Sequence, residues 1–416
     1  MTERPGRVTA ITMVGALLVG VGLLVNEGTL PALLGAHRLQ NPATRSIVLL
    51  GEIVLVVTGS LLIGFRHRVR GRDIIFGMIP VLLLALICEG VTRVIFRGGW
   101  ANTMMLDGSR GWVTRPNLHK MIPTLHGVAS YSTTRDGFRR WGNPANHKTK
   151  VFVIGDSYTH AIGVSDGQTY FDWLASRDTA LEVFAYGSSM YGSLQEYLTL
   201  DKYMDVIKPD VILWQFCSND IANNDRAFER ASISNNNAMR RPYYQDGHIE
   251  RHFPYRLELV GKSYLLRYFE VQWRVLRRVR FNEHTLEDTI TPAAPLYRDA
   301  MQRTSAILGL VKLRAGNVPV VAFEVDRPRF IDHSYERVAR ENGILFADSI
   351  PERIEASRAA GLRVDDAPAD FHWTPEGHRI AGEALLRFLV SRHLIAPSPV
   401  GLDPAHEVGR SGTSTP

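Results

Sequence analysis

Cysteine is nearly absent from this chain. Only Cys88 and Cys217 occur in 416 residues, one inside an apolar run and the other at the end of an expected strand, so they are not placed to meet. That leaves no disulfide framework and no metal framework. Tracts in which Lys and Arg interleave with aromatics are also missing. Nucleic acid is therefore a poor partner even though the sequence pI is near 9.3. No internal repeat is found, which excludes solenoid and propeller architectures.

What the chain has in plenty is apolar sequence, unevenly placed. Residues 8–25 carry no charge, residues 46–65 are interrupted by Glu52, and residues 74–96 contain Pro80, Glu89 and Arg93. Each run is near the roughly 20 residues that cross a bilayer, so three transmembrane helices are expected within 1–97. The basic stretch from Arg66 to Arg72 lies between the second and third runs and is expected on the cytoplasmic side. That puts the amino terminus inside and everything after residue 96 outside. No small-x-small cleavage site follows the first run, which reads as an uncleaved anchor rather than a signal peptide. Glu89 and Arg93, four residues apart, are expected to pair at the interface.

Residues 98–149 are rich in Gly, Pro, Asn and Arg, yet they include Trp112, Phe138 and Trp141, which need burial. The segment is expected to wrap a catalytic domain. From Val151 onward strand and helix alternate. Strands are expected at 151–154, 181–186, 211–216, 318–325 and 344–348, with helices at 166–177, 193–204, 296–314, 335–342, 351–360 and 377–395. This rhythm predicts an α/β domain over 150–395 with a parallel sheet covered on both faces. Residues 223–291 break it and read as an insertion over the carboxyl edge of the sheet, with an Arg-rich helix near 263–280 that is taken as a solvated face. Residues 396–416, rich in Pro, Gly and Ser, read as a disordered tail.

Chemistry concentrates in three places. Val151-Phe152-Val153-Ile154-Gly155-Asp156-Ser157 puts a serine immediately after a buried strand, where ligands bind in open α/β sheets. A serine can equally be a helix cap there. Asp370-Phe371-His372 precedes the last helix. His372 is a candidate base for Ser157, and Asp370 can orient it. His378, inside the helix start, is read as a packing or hydrogen-bonding residue. Asn219 follows the strand at 211–216, where its amide can donate to an oxyanion or close an Asx turn.

Gly155-Asp156-Ser157, a Gly/Ser loop at 187–192, Ser218-Asn219-Asp220 and Asp370-x-His372, in that order, resemble the SGNH, or GDSL, hydrolase superfamily. Gly163-Val164, Gln195-Glu196-Tyr197 and Pro375-Glu376-Gly377-His378 are similar to its bacterial membrane-linked members. The resemblance implies a three-layer α/β/α sandwich of SGNH, flavodoxin-like type. It implies Ser157 as nucleophile, His372 as base and Asp370 as its partner, ahead of Asp365 and Asp366. The implied oxyanion hole is the Ser157 N–H, the Met190 N–H and the Asn219 side chain. Two positions depart from the pattern: Met190 stands where a second glycine is usual, and Cys217 replaces the glycine before the Ser-Asn-Asp run.

By that resemblance the expected reaction is acyl transfer through a covalent acyl-serine, needing no metal or organic cofactor. The expected substrates are acetyl or other acyl esters on cell-envelope or exported glycans or lipids, met on the outer side of a bacterial cytoplasmic membrane. Two alternatives stay open. One is an O-acetyltransferase of exported polysaccharide, which would need a membrane partner to deliver the acyl donor. The other is an inactive SGNH-fold module for glycan binding or assembly.

Overall fold

The computed structural model describes residues 5–24, 26, 42–67, 82–83, 85–90, 92, 103–124, 127–232, 241–251, 263, 265–266, 290–326, 333–366 and 370–396. The chain divides into two units, Met1–Ala101 with Tyr255–Thr285, and Asn102–Pro254 with Leu286–Pro416.

In the first unit, helices α1 (Pro5–Leu24) and α2 (Pro42–Gly64) pack through small residues. A Cβ on Gly15 would lie 2.8 Å from the Gly59 carbonyl, and one on Gly59 would lie 2.5 Å from the Gly15 carbonyl. Only glycine lets the backbones approach this closely. Met13, Leu17, Leu24, Ile53, Val57 and Leu61 are left exposed. Among the described residues no helix is long and apolar enough to cross a membrane. The three spans expected at 8–25, 46–65 and 74–96 therefore find no support in the described helices. Arg93 lies outside the described residues, and with it the expected pairing with Glu89. Glu89 accepts hydrogen bonds from Ser263 Oγ at 2.7 Å and Leu265 N at 2.9 Å.

The second unit opens with two hairpins. They are β1 (Met104–Asp107) with β2 (Gly111–Thr114), and β3 (His119–Thr124) with β4 (Gly127–Ser132). The elements of the α/β domain follow: β5 (Thr149–Gly155), α3 (Ser157–His160), α4 (Tyr170–Arg177), β6 (Leu181–Gly187), α5 (Ser193–Ile207) and β7 (Val211–Phe216). Next come α6 (Asn219–Asn224), α7 (Arg226–Ala231) and the hairpin β8 (Tyr243–Gln245) with β9 (His248–Glu250). The chain continues through α8 (Pro295–Ala315), β10 (Val320–Glu324), α9 (Ser334–Glu341), β11 (Leu345–Ala347) and α10 (Ile350–Ala359). A short pair, β12 (Asp365–Asp366) and β13 (Asp370–Trp373), leads into α11 (Pro375–Ser391).

Five of these strands form one parallel sheet in the order β6-β5-β7-β10-β11. Because a strand's side chains alternate, its wholly apolar runs feed two cores. Phe152, Ile154, Ile212 and Trp214 face one, packed with α5, α8 and α9. Val151, Val153, Val211 and Leu213 face the other, packed with α4, α10 and α11. The result is the expected α/β/α sandwich. The strand order reverses between β5 and β7, and the crevice outside the carboxyl ends at such a point is where ligands bind in this topology.

Helix ends follow local chemistry. The helix expected from residue 166 starts at Tyr170, because the Thr169 side chain accepts from the Asp172 N–H as its cap. The closing helix starts at Pro375 rather than 377, with Thr374 as cap and proline in the first turn.

Segment 103–149 covers the β6 edge. Arg139 and Arg140 exchange backbone hydrogen bonds with Ala185, closing an edge that would otherwise expose unpaired groups. Arg139 is buried and donates to the carbonyls of His160, Ala161 and Val164 and to Asp166. These include carbonyls left unpaired at the end of α3. Trp112 and Phe138 are buried with it.

His378 is fully buried on α11. Its Nδ1 accepts the Tyr170 N–H at 3.2 Å, and its ring stacks on Tyr170 at 5.7 Å. Burial pushes its pKa down to about 3, with Arg139 and His372 adding in the same direction. A histidine depressed in this way contributes stability that is present above about pH 6.5 and lost on acidification toward 3. The substitution His378→Gln keeps an acceptor and removes the titration. The stability gap between the two proteins, read by urea denaturation at several pH values, is expected to narrow by about 1.4 kcal/mol per unit as pH falls through that window. A gap independent of pH would contradict this role.

Candidate active site

The turn from β5 into α3 is made by Gly155 and Asp156. A Cβ on Gly155 would fall 2.3 Å from Gln215 Oε1 and 2.4 Å from Thr159 Oγ1, so no other residue fits. Gln215, from β7, ties the turn down. Its Oε1 accepts from Asp156 N at 3.0 Å, Thr159 N at 3.2 Å and Thr159 Oγ1 at 2.9 Å, and its Nε2 donates to Asp156 Oδ1 at 2.8 Å. The Asp156 carboxylate also caps α3 by accepting from Tyr158 N.

This places Ser157 at the carboxyl end of β5, half-buried, with its Oγ 2.7 Å from His372 Nε2. Asp156 Oδ2 is a second acceptor at 3.2 Å. His372 comes from β13, 215 residues along the chain. Tyr158 holds that strand in place. Its hydroxyl donates to the Phe371 carbonyl at 2.9 Å, and its ring lies 4.8 Å from the imidazole. With Nε2 accepting from serine, the imidazole carries its proton on Nδ1.

Asp370 lies on β13 with His372, and its backbone pairs with Asp366. The side chains of Asp366 and Asp370 lie outside the described set. Asp365 is buried and paired with Arg358.

The other two expected donors flank the same crevice. Met190 follows β6 and Asn219 opens α6 after β7. Met190 adopts φ +66°, the left-handed region that glycine enters freely and methionine does not. Its side chain packs against the first core. No acceptor among the described residues takes the Met190 N–H or the Asn219 side-chain amide. The loop carrying Asn219 is held by two carboxyls, buried Asp220 and half-buried Asp326. Ser218 N donates to Asp326 Oδ1 at 2.8 Å and Ser218 Oγ to Asp326 Oδ2, while Cys217 N donates to Asp220 Oδ2 at 3.2 Å. Burial pushes the Cys217 thiol well up, so it is not a nucleophile near neutral pH.

Electrostatically the floor of the site is a set of acids, buried apart from the half-buried Asp326. Asp156, Asp220, Asp326 and Glu196 are all pushed above the usual carboxyl range, first by burial. Repulsion from Asp220 and then Asp156 adds to the effect on Glu196. His160, also buried, is held neutral by desolvation. Its Nδ1 accepts the Ser189 N–H at 3.1 Å, and its Nε2 lies 2.6 Å from the Tyr131 hydroxyl. His160 thus joins the nucleophile turn to the Ser189–Met190 loop. Among the described residues no cluster of His, Cys, Asp or Glu could hold a metal ion. A depression of about 510 Å³ lined by Gln168, Trp173, Arg363 and Glu376 lies beside the start of α11 and does not include Ser157.

The GDSL-like Lipase/Acylhydrolase family matches residues 151–385, from the strand before Ser157 into α11. The chain belongs to this family. Several solved structures resemble part of this chain. One is a lipolytic protein of the G-D-S-L family from Veillonella parvula, at 10% identity over 57% of this chain and 96% of that one, TM-score 0.34. A putative lipolytic protein of the same family from Desulfitobacterium hafniense is 13% identical over 58% and 99%, TM-score 0.34. Axe2, an acetylxylan esterase from Geobacillus stearothermophilus, solved as a catalytic mutant, is 14% identical over 57% and 93%, TM-score 0.34. No curated protein matches the chain.

Of the residues that position this candidate site, the sequence patterns did not mark Gln215, Tyr158, His160 or Asp326. Gln215 had a visible signal, a lone carboxamide inside the apolar run Val211–Phe216. The others depend on long-range contacts.

Gly187 shows how closely the parts of the site approach. A Cβ there would lie 2.2 Å from His160 N and 2.4 Å from Thr159 C, both backbone atoms of the nucleophile turn. Gly187→Ala is expected to destabilise the fold by at least about 3 kcal/mol, lowering Tm by roughly 6–12 °C. Gly163→Ala, where a Cβ meets nothing within 4 Å, is expected to leave Tm unchanged. Equal melting temperatures for the two variants would refute the argument.

Proposed function

We propose that this chain is a serine esterase that hydrolyses acyl esters through a covalent acyl-serine. The observation that carries the reading is the 2.7 Å contact between Ser157 Oγ and His372 Nε2 at the switch point of the sheet. In the proposed reaction His372 takes the Ser157 proton as Oγ attacks the ester carbonyl. The Ser157 and Met190 N–H groups and the Asn219 amide receive the oxyanion. His372 then protonates the departing alcohol, and water attacks the acyl-serine with His372 as base. Asp370 is the proposed partner of the imidazole.

The proposed substrates are acyl esters, acetyl among them, on envelope or exported glycans or lipids. The exposed apolar residues of α1 and α2 support attachment of the chain to a bilayer, with the catalytic unit on its outer side. Transfer of the acyl group to a sugar hydroxyl is the alternative ending, and it would require a membrane partner that delivers the donor.

Turnover of p-nitrophenyl acetate by the full chain tests the catalytic part. Ser157→Ala is expected to lose at least about 10³-fold in kcat, and Asn219→Ala about 10²–10³-fold with little change in KM. Intact mass should show acetyl on Ser157 and none in the alanine variant. Acetyl recovered on an added glycan would move the reading to transferase. Equal behaviour of the chain and its Ser157→Ala variant would sink it and leave a binding module.

Attachment is tested by fractionating cells that produce the full chain. It is expected in the membrane pellet and to resist high salt and alkaline carbonate. Recovery in the soluble fraction would overturn the anchoring.

A further inference from the structure

We infer that Arg241, stacked on Trp112, is a positioning residue for the Met190 N–H. This rests on the esterase reading above. Neither residue belongs to the α/β strands: Trp112 lies on β2, and Arg241 precedes β8, after the break at 223.

The Arg241 side chain is 1% exposed, and every face of its guanidinium is engaged. Nε meets Glu229 Oε2 at 3.1 Å, Nη1 donates to Gln195 Oε1 at 3.0 Å, and Nη2 donates to the Met190 carbonyl at 3.0 Å. The guanidinium carbon sits 5.1 Å from the Trp112 ring centroid. Trp112 in turn donates from Nε1 to the Ser189 carbonyl at 3.1 Å. That carbonyl and the Met190 N–H belong to one planar peptide and point to opposite sides. A donor fixing the oxygen therefore fixes the direction of the N–H. It also polarises the peptide and strengthens the N–H as a donor.

Arg241 grips the next peptide through the Met190 carbonyl and presses on the indole that grips the first. Two peptides of the loop are thus clamped from behind while the Met190 N–H faces forward. The clamp sits where the chain needs it, because Met190 holds a left-handed conformation that its side chain disfavours. The planar fork matters, since one group must reach Glu229, Gln195 and Met190 at once. Lysine presents a single point of charge and cannot do this.

Trp112→Phe keeps a smaller aromatic ring under Arg241 and removes the donor to Ser189. Arg241→Lys keeps the charge and removes the fork. In the acetyl-ester assay of the full chain, each is expected to lower kcat by about 10- to 100-fold with KM within about twofold. The double variant should cost little more than the worse single one, because both act on one N–H. In a Met190→Gly background, where the left-handed conformation is free, Arg241→Lys should cost less than about threefold. If Trp112→Phe and Arg241→Lys lower Tm but leave kcat within twofold while Ser157→Ala abolishes turnover, the inference is wrong and the esterase reading stands. Turnover that Ser157→Ala does not reduce would overturn both.

Discussion

The carboxamide of Gln215 is the constraint on which this site depends. It reaches from β7 to β5 and satisfies two backbone N–H groups, one hydroxyl and one carboxylate oxygen of the nucleophile turn. Each of those groups is buried, and a buried donor left unpaired costs about 1–3 kcal/mol. The turn and the neighbouring strand therefore form one unit, so Ser157 cannot shift without breaking several hydrogen bonds together. Gly155 and Gly187 are needed because this unit leaves no room for a Cβ beneath it or beside it. The sheet order then does the rest: β7 lies next to β5, so Asn219 at the end of β7 opens onto the same crevice as Ser157.

How much of this could be read from the chain follows from how local each feature is. The five sheet strands are apolar runs bounded by turn residues, and the motifs around Ser157, Asn219 and His372 lie where those runs end. All of that is visible within a dozen residues. The hairpins of residues 103–132 were not, because their short strands are interrupted by Gly, Pro and Asn and are fixed by contacts with the domain they cover. The β8–β9 hairpin is legible from local sequence. Asp246-Gly247 joins Gln245 to His248, and both turn residues have positive φ, the signature of a two-residue hairpin turn. Arg139, Arg241 and Asp326 carry no local signal. Their roles arise only where distant segments meet.

The buried acids bear on catalysis through their charge. An oxyanion forming at Ser157 would be opposed by ionised carboxylates beneath it. Burial raises the pKa of Asp156, Glu196, Asp220 and Asp326, and each rise lowers the negative charge facing that oxyanion. The imidazoles of His160 and His378 are driven the other way and stay neutral. They add no positive charge that would raise the cost of forming an imidazolium at His372.

Met190 is the point where the chain departs from the simplest solution. Glycine would take φ +66° without strain, whereas a side chain there costs about 1–2 kcal/mol. Such strain persists only where the surroundings over-determine the conformation. Here Trp112 from the segment before β5, Arg241 from the segment after α7, and Gln195 from α5 all close on the loop. The methionine side chain is not idle, since it packs on the core that α5 and α8 share. The loop gains a hydrophobic anchor at the cost of backbone strain, and elements outside the central sheet supply the restraint. Regions that look peripheral in the sequence, the wrapping segment and the start of the insertion, therefore hold the Ser189–Met190 loop in its strained conformation.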